Sequence, residues 1–389
     1  MLTGTRLENT RIYNRKIIIE VIRRNSPISR AEIAQQTGLT TATISNLTAE
    51  LLEEEFIVEI GRRKGLRGQP AIELKLNPNG RFSIGFELGR RHLTGVLINL
   101  TGEILAELSE EWEYPPPDVA LPLLAEKVGK FLTHPTVTAQ RVLGIGVAMP
   151  GPFLTREKQI VSPIDFPQWE HFPIREKLGE QFALPVMIEN DAMAAATGEQ
   201  FHGAGQAYRD FYYIHFADGI GGALILDGHP HQGFSQNTGE LGWMRHPNRG
   251  RRALVGNHLG LKPLYNFLKG YGIHISRSKE LEPLFEQQNV YLWEWLNEAV
   301  DCLDVMIDSI NAIIGPEVIF LGGHFPNTML DYLIERLQLE ATTVRAAQPD
   351  RYSLYQAKLL RATAGDLSSA LGAASLPVYQ TFSTRSATS

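Results

Sequence analysis

The sequence contains little that would place it in a membrane or stabilise it by disulfides. Its 389 residues include a single cysteine, Cys302, so an intramolecular disulfide and a cysteine-rich zinc site are both excluded. No apolar run approaches the ~20 residues needed to span a bilayer. Residues 1–16 have no apolar core of the kind found in signal peptides. We therefore expect a cytoplasmic protein with no membrane insertion.

The chain as a whole has no excess of positive charge, but its N-terminal part does. The formal net charge is −6, which argues against a protein covered with nucleic-acid-binding charge. Residues 1–70, however, contain eleven lysines and arginines against eight glutamates. The length also exceeds that of one compact core. These features predict a basic N-terminal domain attached to an acidic body.

The N-terminal part has the spacing of a helix-turn-helix. A small residue, Ala34, precedes Gly38 by four positions, and the aliphatic residues Ile44 and Leu47 follow. The small residue permits close helix approach, the glycine permits a sharp turn, and the aliphatic residues anchor the second helix. Ser29 and Glu32 form a capping-box pattern before the first of these helices. A plain helical hairpin is the alternative. The residues expected to face the major groove are Thr40, Thr41, Ala42, Thr43, Ser45 and Asn46.

A basic hairpin follows the helices. Residues 56–60 and 71–76 are typical of strands, and the segment between them is rich in glycine and cations. Such a loop can place cations on phosphates or in the minor groove, although a merely solvated loop has the same composition. The candidate contacts are Arg62, Arg63, Lys64 and Arg67. We therefore predict a winged helix-turn-helix domain over residues 1–80.

From residue 81 to residue 389 the sequence alternates strand patterns with glycine turns. Three strand patterns and a helix pattern come first, and a second set of strand, glycine-turn and helix patterns follows. This duplication predicts an α/β, actin-like or hexokinase-like (ribonuclease H-like duplicated) domain with two lobes around a cleft.

Six short segments carry a resemblance to the ROK family, which contains repressors, uncharacterised open reading frames and sugar kinases. The resemblance covers nearly the whole chain, and the winged helix-turn-helix is similar to that of the family's regulators of glucose, xylose and N-acetylglucosamine use. The segments are Gly144–Gly151, Glu189–Asp191, Asp218–Gly222, Gly239–Gly242, Leu321–Gly323 and Gly372–Ala374.

The two phosphate-binding turns of a kinase of this fold are altered. The first turn commonly is Asp-x-Gly-Gly-Thr, and here Glu87 replaces the aspartate while Arg90 stands at a position for a small residue. The second turn is normally Gly-Thr-Gly, and here Asp218 adds a carboxylate that would repel the phosphates of ATP. We therefore expect no enzymatic activity and no catalytic residues.

The resemblance implies a sugar site at the ends of these segments. Asn190 and Asp191 would hydrogen-bond sugar hydroxyls, and Asp191 matches the kinase base. Glu240 matches a further sugar contact, and Trp243 either stacks on the sugar or plugs the pocket. The alternative for Asn190 and Asp191 is a purely structural helix cap.

The zinc site of the family is absent from the sequence. Trp243 stands in place of the zinc-binding histidine, and Lys262 replaces a sugar-contacting glutamate beyond the site. His246 and His258 lie nearby but lack further partners, so we expect no metal and no cofactor. The residues in the positions of the cysteines are Ala253, Val255 and Gly260.

These observations favour a repressor of carbohydrate-utilisation genes that binds operator DNA as a homodimer or homotetramer and responds to a sugar. One alternative is a sugar kinase with an accessory DNA-binding domain. Another is a regulator controlled by a protein partner, with no sugar ligand. At this point all three remain open.

Overall fold

A computed structural model describes residues 7–63, 71–154, 159–160, 167–347 and 356–382. Among these residues, no helix combines the length and the apolar character required to cross a lipid bilayer. The chain forms a small N-terminal domain, called the head below, and two lobes that are each built on a five-stranded sheet.

The head contains three helices and a three-stranded sheet. The short strand β1 pairs antiparallel with β3, which also pairs antiparallel with β2, so the sheet order is β1-β3-β2. Its elements are α1 (Leu7–Asn25), β1 (Ile28–Ser29), α2 (Arg30–Thr37), α3 (Thr41–Glu53), β2 (Ile57–Arg63) and β3 (Ala71–Leu76).

Local sequence signals account for the helix ends in the head. The Ser29 side chain accepts a hydrogen bond from the Glu32 backbone N–H, and the Glu32 carboxylate accepts one from the Ser29 N–H, so the predicted capping box is confirmed. Gly38 ends α2 in the left-handed conformation, with φ 70°. Thr40 caps α3 by accepting from the Thr43 N–H. The helix-turn-helix is therefore present at the predicted residues.

The hairpin after α3 is also present, with a longer first strand than expected. We predicted a strand over residues 56–60, but β2 runs from Ile57 to Arg63 and pairs with β3. A register shift between Glu59 and Gly61 bends the ladder there. Arg62 and Arg63 therefore belong to the strand and not to the loop. Lys64 and Arg67 lie outside the described residues.

The first lobe has a mixed sheet in the order β10-β7-β4-β5-β6. The strands β4, β5 and β6 form an antiparallel meander, and β7 joins β4 in parallel, as the duplicated α/β fold requires. Its elements are β4 (Phe82–Leu88), β5 (His92–Asn99), β6 (Ile104–Glu111), α4 (Pro117–Leu132), β7 (Val142–Met149), β8 (Phe153–Leu154), β9 (Gln159–Ile160), α5 (Ile174–Phe182), β10 (Val186–Asn190) and α6 (Asp191–His202).

The second lobe has a sheet in the order β13-β12-β11-β14-β15. The strands β11 and β14 are parallel, and their carboxyl ends face the cleft between the lobes. Its elements are β11 (Phe211–Phe216), β12 (Ile220–Leu226), β13 (His229–Pro230), α7 (Leu261–Gly270), α8 (Leu281–Glu286), α9 (Val290–Ile313), β14 (Val318–Gly323), α10 (Asn327–Ala347) and β15 (Lys358–Arg361). The C-terminal helix α11 (Ser368–Phe382) returns to pack on β4, β5 and β7 of the first lobe.

The helix pair α6 and α11 packs closely because glycines line the contact. A Cβ atom at Gly372 of α11 would overlap the Ala194 carbonyl of α6. A Cβ atom at Gly146 of β7 would likewise overlap the Ala373 carbonyl of α11. These glycines bring the backbones of α6, α11 and β7 together at the centre of the molecule.

The head and the body share one hydrophobic core. The head residues Ile18, Ile22 and Leu74 belong to the same buried cluster as Val96 of β5 and Val378 of α11. A hydrogen bond from Lys16 Nζ to the Gln380 carbonyl, 2.9 Å long, also joins α1 to α11. The head is thus packed onto the first lobe and onto α11.

Candidate DNA-contact helix and ligand cleft

One face of α3 is buried in the head and the opposite face is exposed. Ile44 is fully buried and Leu47 is 4% exposed, as predicted for the two anchoring residues. Thr40 is exposed, and its hydroxyl lies 2.9 Å from that of the half-buried Thr43, so these two residues chiefly form the helix cap. Of the residues predicted to face DNA, those with exposed side chains on the helix itself are Thr41, Ala42, Ser45 and Asn46.

Ion pairs on the surface of the head join α3 to α1 and α2 to β2. Arg11 pairs with Glu50 at 2.6 Å, and Arg15 pairs with Glu54 at the end of α3. A third pair joins Arg30 of α2 to Glu59 of β2 at 2.9 Å. The first two pairs link α3 to α1, which itself contacts the body.

The cleft between the lobes contains a cavity of about 520 Å³. This volume is in the range of small-molecule sites. All four predicted sugar-site residues, Asn190, Asp191, Glu240 and Trp243, line it, together with Arg90. The structure therefore brings together side chains that are up to 53 positions apart in the sequence.

Asn190 serves both as a helix cap and as a cavity residue. Its Oδ1 accepts hydrogen bonds from the backbone N–H groups of Ala192 (3.0 Å) and Met193 (3.2 Å), which caps α6. The amide nitrogen of Asn190 lies beside Gly151, which also lines the cavity. The cap therefore orients the amide that faces the cavity.

Two of the carboxyl groups that line the cavity, those of Asp191 and Glu240, hold their protons more tightly than usual. Burial raises the pKa of Asp191 to about 6, against the lowering effect of Arg90. Burial raises the pKa of Glu240 to about 7, and the charge of Asp191 raises it further. Two partly desolvated acids facing one cavity can donate to and accept from the hydroxyl groups of a polyol.

Trp243 lies at the rim of the cavity and is 59% exposed. An indole so exposed does not plug the cavity, and its free face can stack on a ring. It also forms a hydrogen bond with Glu240, which lowers the pKa of that carboxyl group.

Backbone hydrogen bonds hold the segment that carries zinc ligands elsewhere in the family. The His246 N–H donates to the Ala253 carbonyl at 2.9 Å, and the Val255 N–H donates to Met244 at 2.8 Å. Gly260, with φ 123°, allows the start of α7 to contact the backbone of Asp218 and Gly219. Lys262 lines the cavity. The wall of the cavity is therefore ordered by contacts of the protein itself.

His246 and His258 face each other, with ring centroids 4.8 Å apart. The Nε2 atom of His246 lies 3.5 Å from a Glu298 oxygen, and that carboxylate also pairs with Arg249. In the described part of the chain these residues do not form a group of three metal-ligating side chains.

Internal contacts engage the carboxylates at both altered phosphate turns. Asp218 lies 3.3 Å from Arg91 and accepts a hydrogen bond from the Tyr114 hydroxyl at 3.2 Å. Glu87 is 2% exposed and lies 2.8 Å from His324 Nε2. Burial alone would raise the pKa of Glu87, but His324 and His92 hold it well below its ordinary value.

The histidines around Glu87 were missed by the sequence analysis. His92 begins β5, His215 lies within β11, and His324 directly follows β14. The only signal in the sequence was the position of His92 and His324 at strand ends, beside segments that line the cleft. Nothing in their spacing indicated that they meet, because His324 lies 237 positions from Glu87.

The chain joins a helix-turn-helix, a fold typical of DNA-binding domains, to a two-lobed α/β domain with a ligand-sized cleft. A family model described as "ROK family" matches residues 83–379, and one described as "Winged helix-turn-helix DNA-binding" matches residues 13–58. The chain belongs to the ROK family.

Similar proteins include regulators of sugar metabolism. The chain is 30% identical over 244 residues to the xylose repressor of Bacillus spizizenii, a match that covers 63% of each protein. It is 26% identical over 248 residues to the transcriptional dual regulator NagC of Escherichia coli, covering 63% of this chain and 60% of NagC. The matches thus span about three fifths of those relatives.

The fold is also similar to that of a solved ROK family transcriptional regulator, described as a homologue of the Escherichia coli MLC protein. The TM-score is 0.76 at 21% identity, over 96% of this chain and 98% of the other. At that identity the similarity establishes the fold, including the head placed before the two lobes.

Proposed function

We propose that the chain is a cytoplasmic transcriptional repressor of carbohydrate-utilisation genes, which binds operator DNA as a homodimer and senses a sugar in its cleft. The observation that carries this proposal is the exposed face of α3, where Thr41, Ser45 and Asn46 stand free of the core that anchors the helix. Short polar side chains at the start of such a helix can contact base edges and phosphates. A dimer is expected because one short helix rarely supplies enough specific affinity.

The cavity suits an uncharged polyol better than a nucleotide. Its wall offers the Asn190 amide, two carboxyl groups with raised pKa values and the exposed indole of Trp243. These groups can form hydrogen bonds with hydroxyls and stack on a sugar ring. The names of two similar proteins, the xylose repressor of Bacillus spizizenii and an N-acetylglucosamine repressor of Escherichia coli, support the same class of ligand.

We further propose that the body does not transfer phosphoryl groups. Glu87 is directed into a buried cluster, and Asp218 is held by Arg91 and Tyr114, so neither carboxylate is available in the role that a kinase requires. Arg90 also lines the cavity where a small residue would admit phosphate. The charge on Asp218 would oppose the charge of ATP.

A chain of contacts connects the cleft to the head. The helix α6 begins at the cavity with Asn190 and Asp191, and it packs against α11 along its length. Phe201 near the end of α6 lies under the Arg23 guanidinium of α1, 5.1 Å away. A ligand that moves α6 relative to the second lobe would thereby change the position of the paired heads.

Two linked measurements on the full-length protein test the proposal. The purified protein first selects DNA fragments from the source genome, and a duplex with the selected sequence is used to measure DNA binding by fluorescence anisotropy. Thermal melting of the protein with sugars, sugar phosphates and ATP analogues then identifies the ligand. We expect one sugar to raise the melting temperature by about 2–6 °C. The same sugar should weaken binding to the selected duplex, and ATP analogues should have no effect.

Each alternative has its own outcome. Hexose-dependent ATP hydrolysis would support the sugar kinase and contradict the proposal. Specific DNA binding that no sugar changes would favour control by a protein partner. The Asp191→Asn variant should lose the sugar response and keep DNA binding, whereas Asp301→Asn, on the exposed face of α9, should keep both.

A further inference from the structure

Three ligand atoms converge at the junction of the lobes, beside the cleft, and the neighbouring His215 lines the cavity. The three atoms belong to Glu87, His92 and His324, and all of them lie within 4.8 Å of one another. Glu87 Oε1 is 2.8 Å from His324 Nε2 and 3.2 Å from His92 Nε2. The rings of His92 and His324 have centroids 4.3 Å apart. No other group of three such side chains occurs in the part of the chain described by the structure.

Several polar atoms of this cluster are buried without a hydrogen-bond partner. These atoms are the second oxygen of Glu87 and both ring nitrogens of His215. His215 is 1% exposed, and its ring centroid lies 5.9 Å from that of His324. Unpartnered buried groups of this kind are costly, and a natural explanation for them is a ligand that binds to them.

We propose that Glu87, His92 and His324 bind one divalent transition-metal ion of the zinc class, with His215 as the nearest additional ligand. Two imidazoles and one carboxylate form a set that zinc and related ions accept, whereas magnesium and calcium prefer oxygen ligands. Donor atoms around a tetrahedral zinc ion lie roughly 3.3 Å apart. The distances from Glu87 Oε1 to the two histidine nitrogens, 2.8 Å and 3.2 Å, are close to this spacing. Rotation of the histidine side chains would therefore bring all three ligand atoms to one ion.

This site is separate from the position of the family's zinc. That zinc segment corresponds here to residues 243–262, which the backbone hydrogen bonds described above hold in place. The new cluster instead lies at the ends of β4 and β14 and at the start of β5. None of its residues belongs to the segment in which the cysteines have been replaced.

The position of the site gives the metal a mechanical role. Glu87 and His92 belong to the sheet of the first lobe, His215 belongs to that of the second, and His324 directly follows strand β14 of the second. An ion bound by all of them ties the two lobes together at one point. Metal binding therefore changes the ease with which the cleft opens and closes.

The test uses the full-length protein, dialysed against a chelator and titrated with Co²⁺ and then with Zn²⁺. We expect each chain to bind one equivalent of Co²⁺ and to show the visible absorption typical of Co²⁺ at low coordination number. Zn²⁺ should then displace the Co²⁺ and abolish this absorption. His92→Gln and His324→Gln should each weaken Zn²⁺ binding by about 100-fold or more, since each removes one ligand. His258→Gln, in the other histidine pair, and His274→Gln, on the surface, should leave it unchanged.

Circular dichroism of each variant shows whether it is folded, and X-ray absorption of the zinc-loaded natural sequence provides a measurement that needs no variant. We expect two or three imidazole ligands at about 2.0–2.1 Å. The proposal is overturned if Zn²⁺ binds only weakly and without fixed stoichiometry, or if folded His92→Gln and His324→Gln variants bind as well as the natural chain. A zinc shell with fewer than two imidazoles, or a loss of binding only in His258→Gln, also overturns it.

Discussion

Asp191 and Glu240 face the same cavity, and burial raises the pKa of both, while the charge of Asp191 raises that of Glu240 further. A buried acid whose pKa is raised destabilises the folded state once it ionises. For Asp191 the penalty is absent below its ordinary pKa of 3.8, grows as the pH rises, and is complete above about 6. Retaining such a carboxyl group is typical of a residue that serves ligand binding.

The first prediction concerns this penalty. Replacing Asp191 with Asn should raise the free energy of unfolding by about 1–2 kcal/mol above pH 7, and the gain should disappear near pH 4. Urea denaturation between pH 4 and pH 8 measures it. Asp301→Asn, which changes an exposed aspartate, should show no such pH-dependent gain. A constant difference between the Asp191 variant and the natural chain at all pH values would contradict the assignment.

The second prediction concerns Asn46, which is exposed on α3 and takes no part in capping the helix. Asn46→Ala should weaken binding to the selected duplex by about 1–3 kcal/mol and relax the preference at one base pair. Anisotropy titrations with single-base variants of the duplex measure both effects. The matched variant is Asn297→Ala, exposed on α9 in the second lobe, and it should bind DNA as the natural chain does. If both variants bind equally, α3 is not the reading helix.

At the scale of elements, the contact between α6 and α11 depends on the absence of side chains. In the third prediction, Gly372→Ala should destabilise the protein by about 1–3 kcal/mol, because the new methyl group meets the Ala194 carbonyl. Gly129→Ala provides the control, since a Cβ atom at that position in α4 meets nothing within 4 Å. That variant should gain roughly 0.5–1 kcal/mol from the helix propensity of alanine. Chemical denaturation measures both, and equal effects would show that the close approach is not limiting.

Much of the architecture could be predicted from local patterns. The capping box at Ser29 and Glu32, the turn at Gly38 and the anchors Ile44 and Leu47 depend on neighbours in the sequence, so periodicity and spacing were sufficient. The strand β1 has only two residues and was missed, because its pairing with β3 is not a local property. The end of β2 was placed too early, since the register shift at Glu59 extends the ladder beyond the apolar run.

In the cleft, too, neighbouring residues could be predicted from the sequence, whereas contacts between distant segments could not. Asn190 and Asp191 adjoin each other at a strand end, so the resemblance could indicate them, and both line the cavity. The roles of cap and cavity residue, posed as alternatives, coexist in Asn190 because its Oδ1 caps α6 while its amide nitrogen lies beside Gly151 at the cavity. The cluster of Glu87 with His324 depends on the docking of two lobes, which no single segment of sequence encodes.

At the scale of the whole molecule, α6 connects the ligand cleft to the head through one aromatic ring. Phe201 contacts Arg23 of α1 and also Tyr379 of α11, whose ring centroid is 5.8 Å away. A contact that both sites share can transmit coupling between them, and such contacts typically contribute about 0.5–2 kcal/mol.

The fourth prediction tests this contact. In Phe201→Leu, the affinities for sugar alone and for DNA alone should each stay within about twofold of those of the natural chain. The effect of sugar on DNA binding should fall by about 2–30-fold. Anisotropy titrations with and without sugar measure the coupling. Phe267→Leu removes a comparable ring contact, with Tyr271, in the second lobe, and should keep the full response. An unaltered response in the Phe201 variant would exclude this route.

The core that α1 shares with β5 and α11 has a consequence for protein engineering. Regulators of this architecture invite the exchange of reading heads, so that one sensor can be directed to a new promoter. Here the cut at residue 80 would expose Val96, Ile98 and Val378 on the recipient and Ile18 and Ile22 on the donor. A chimera will therefore fold only when the facing residues of β5 and α11 are transplanted along with the head. The head and the body are separate in the sequence, but they are not independent at this shared core.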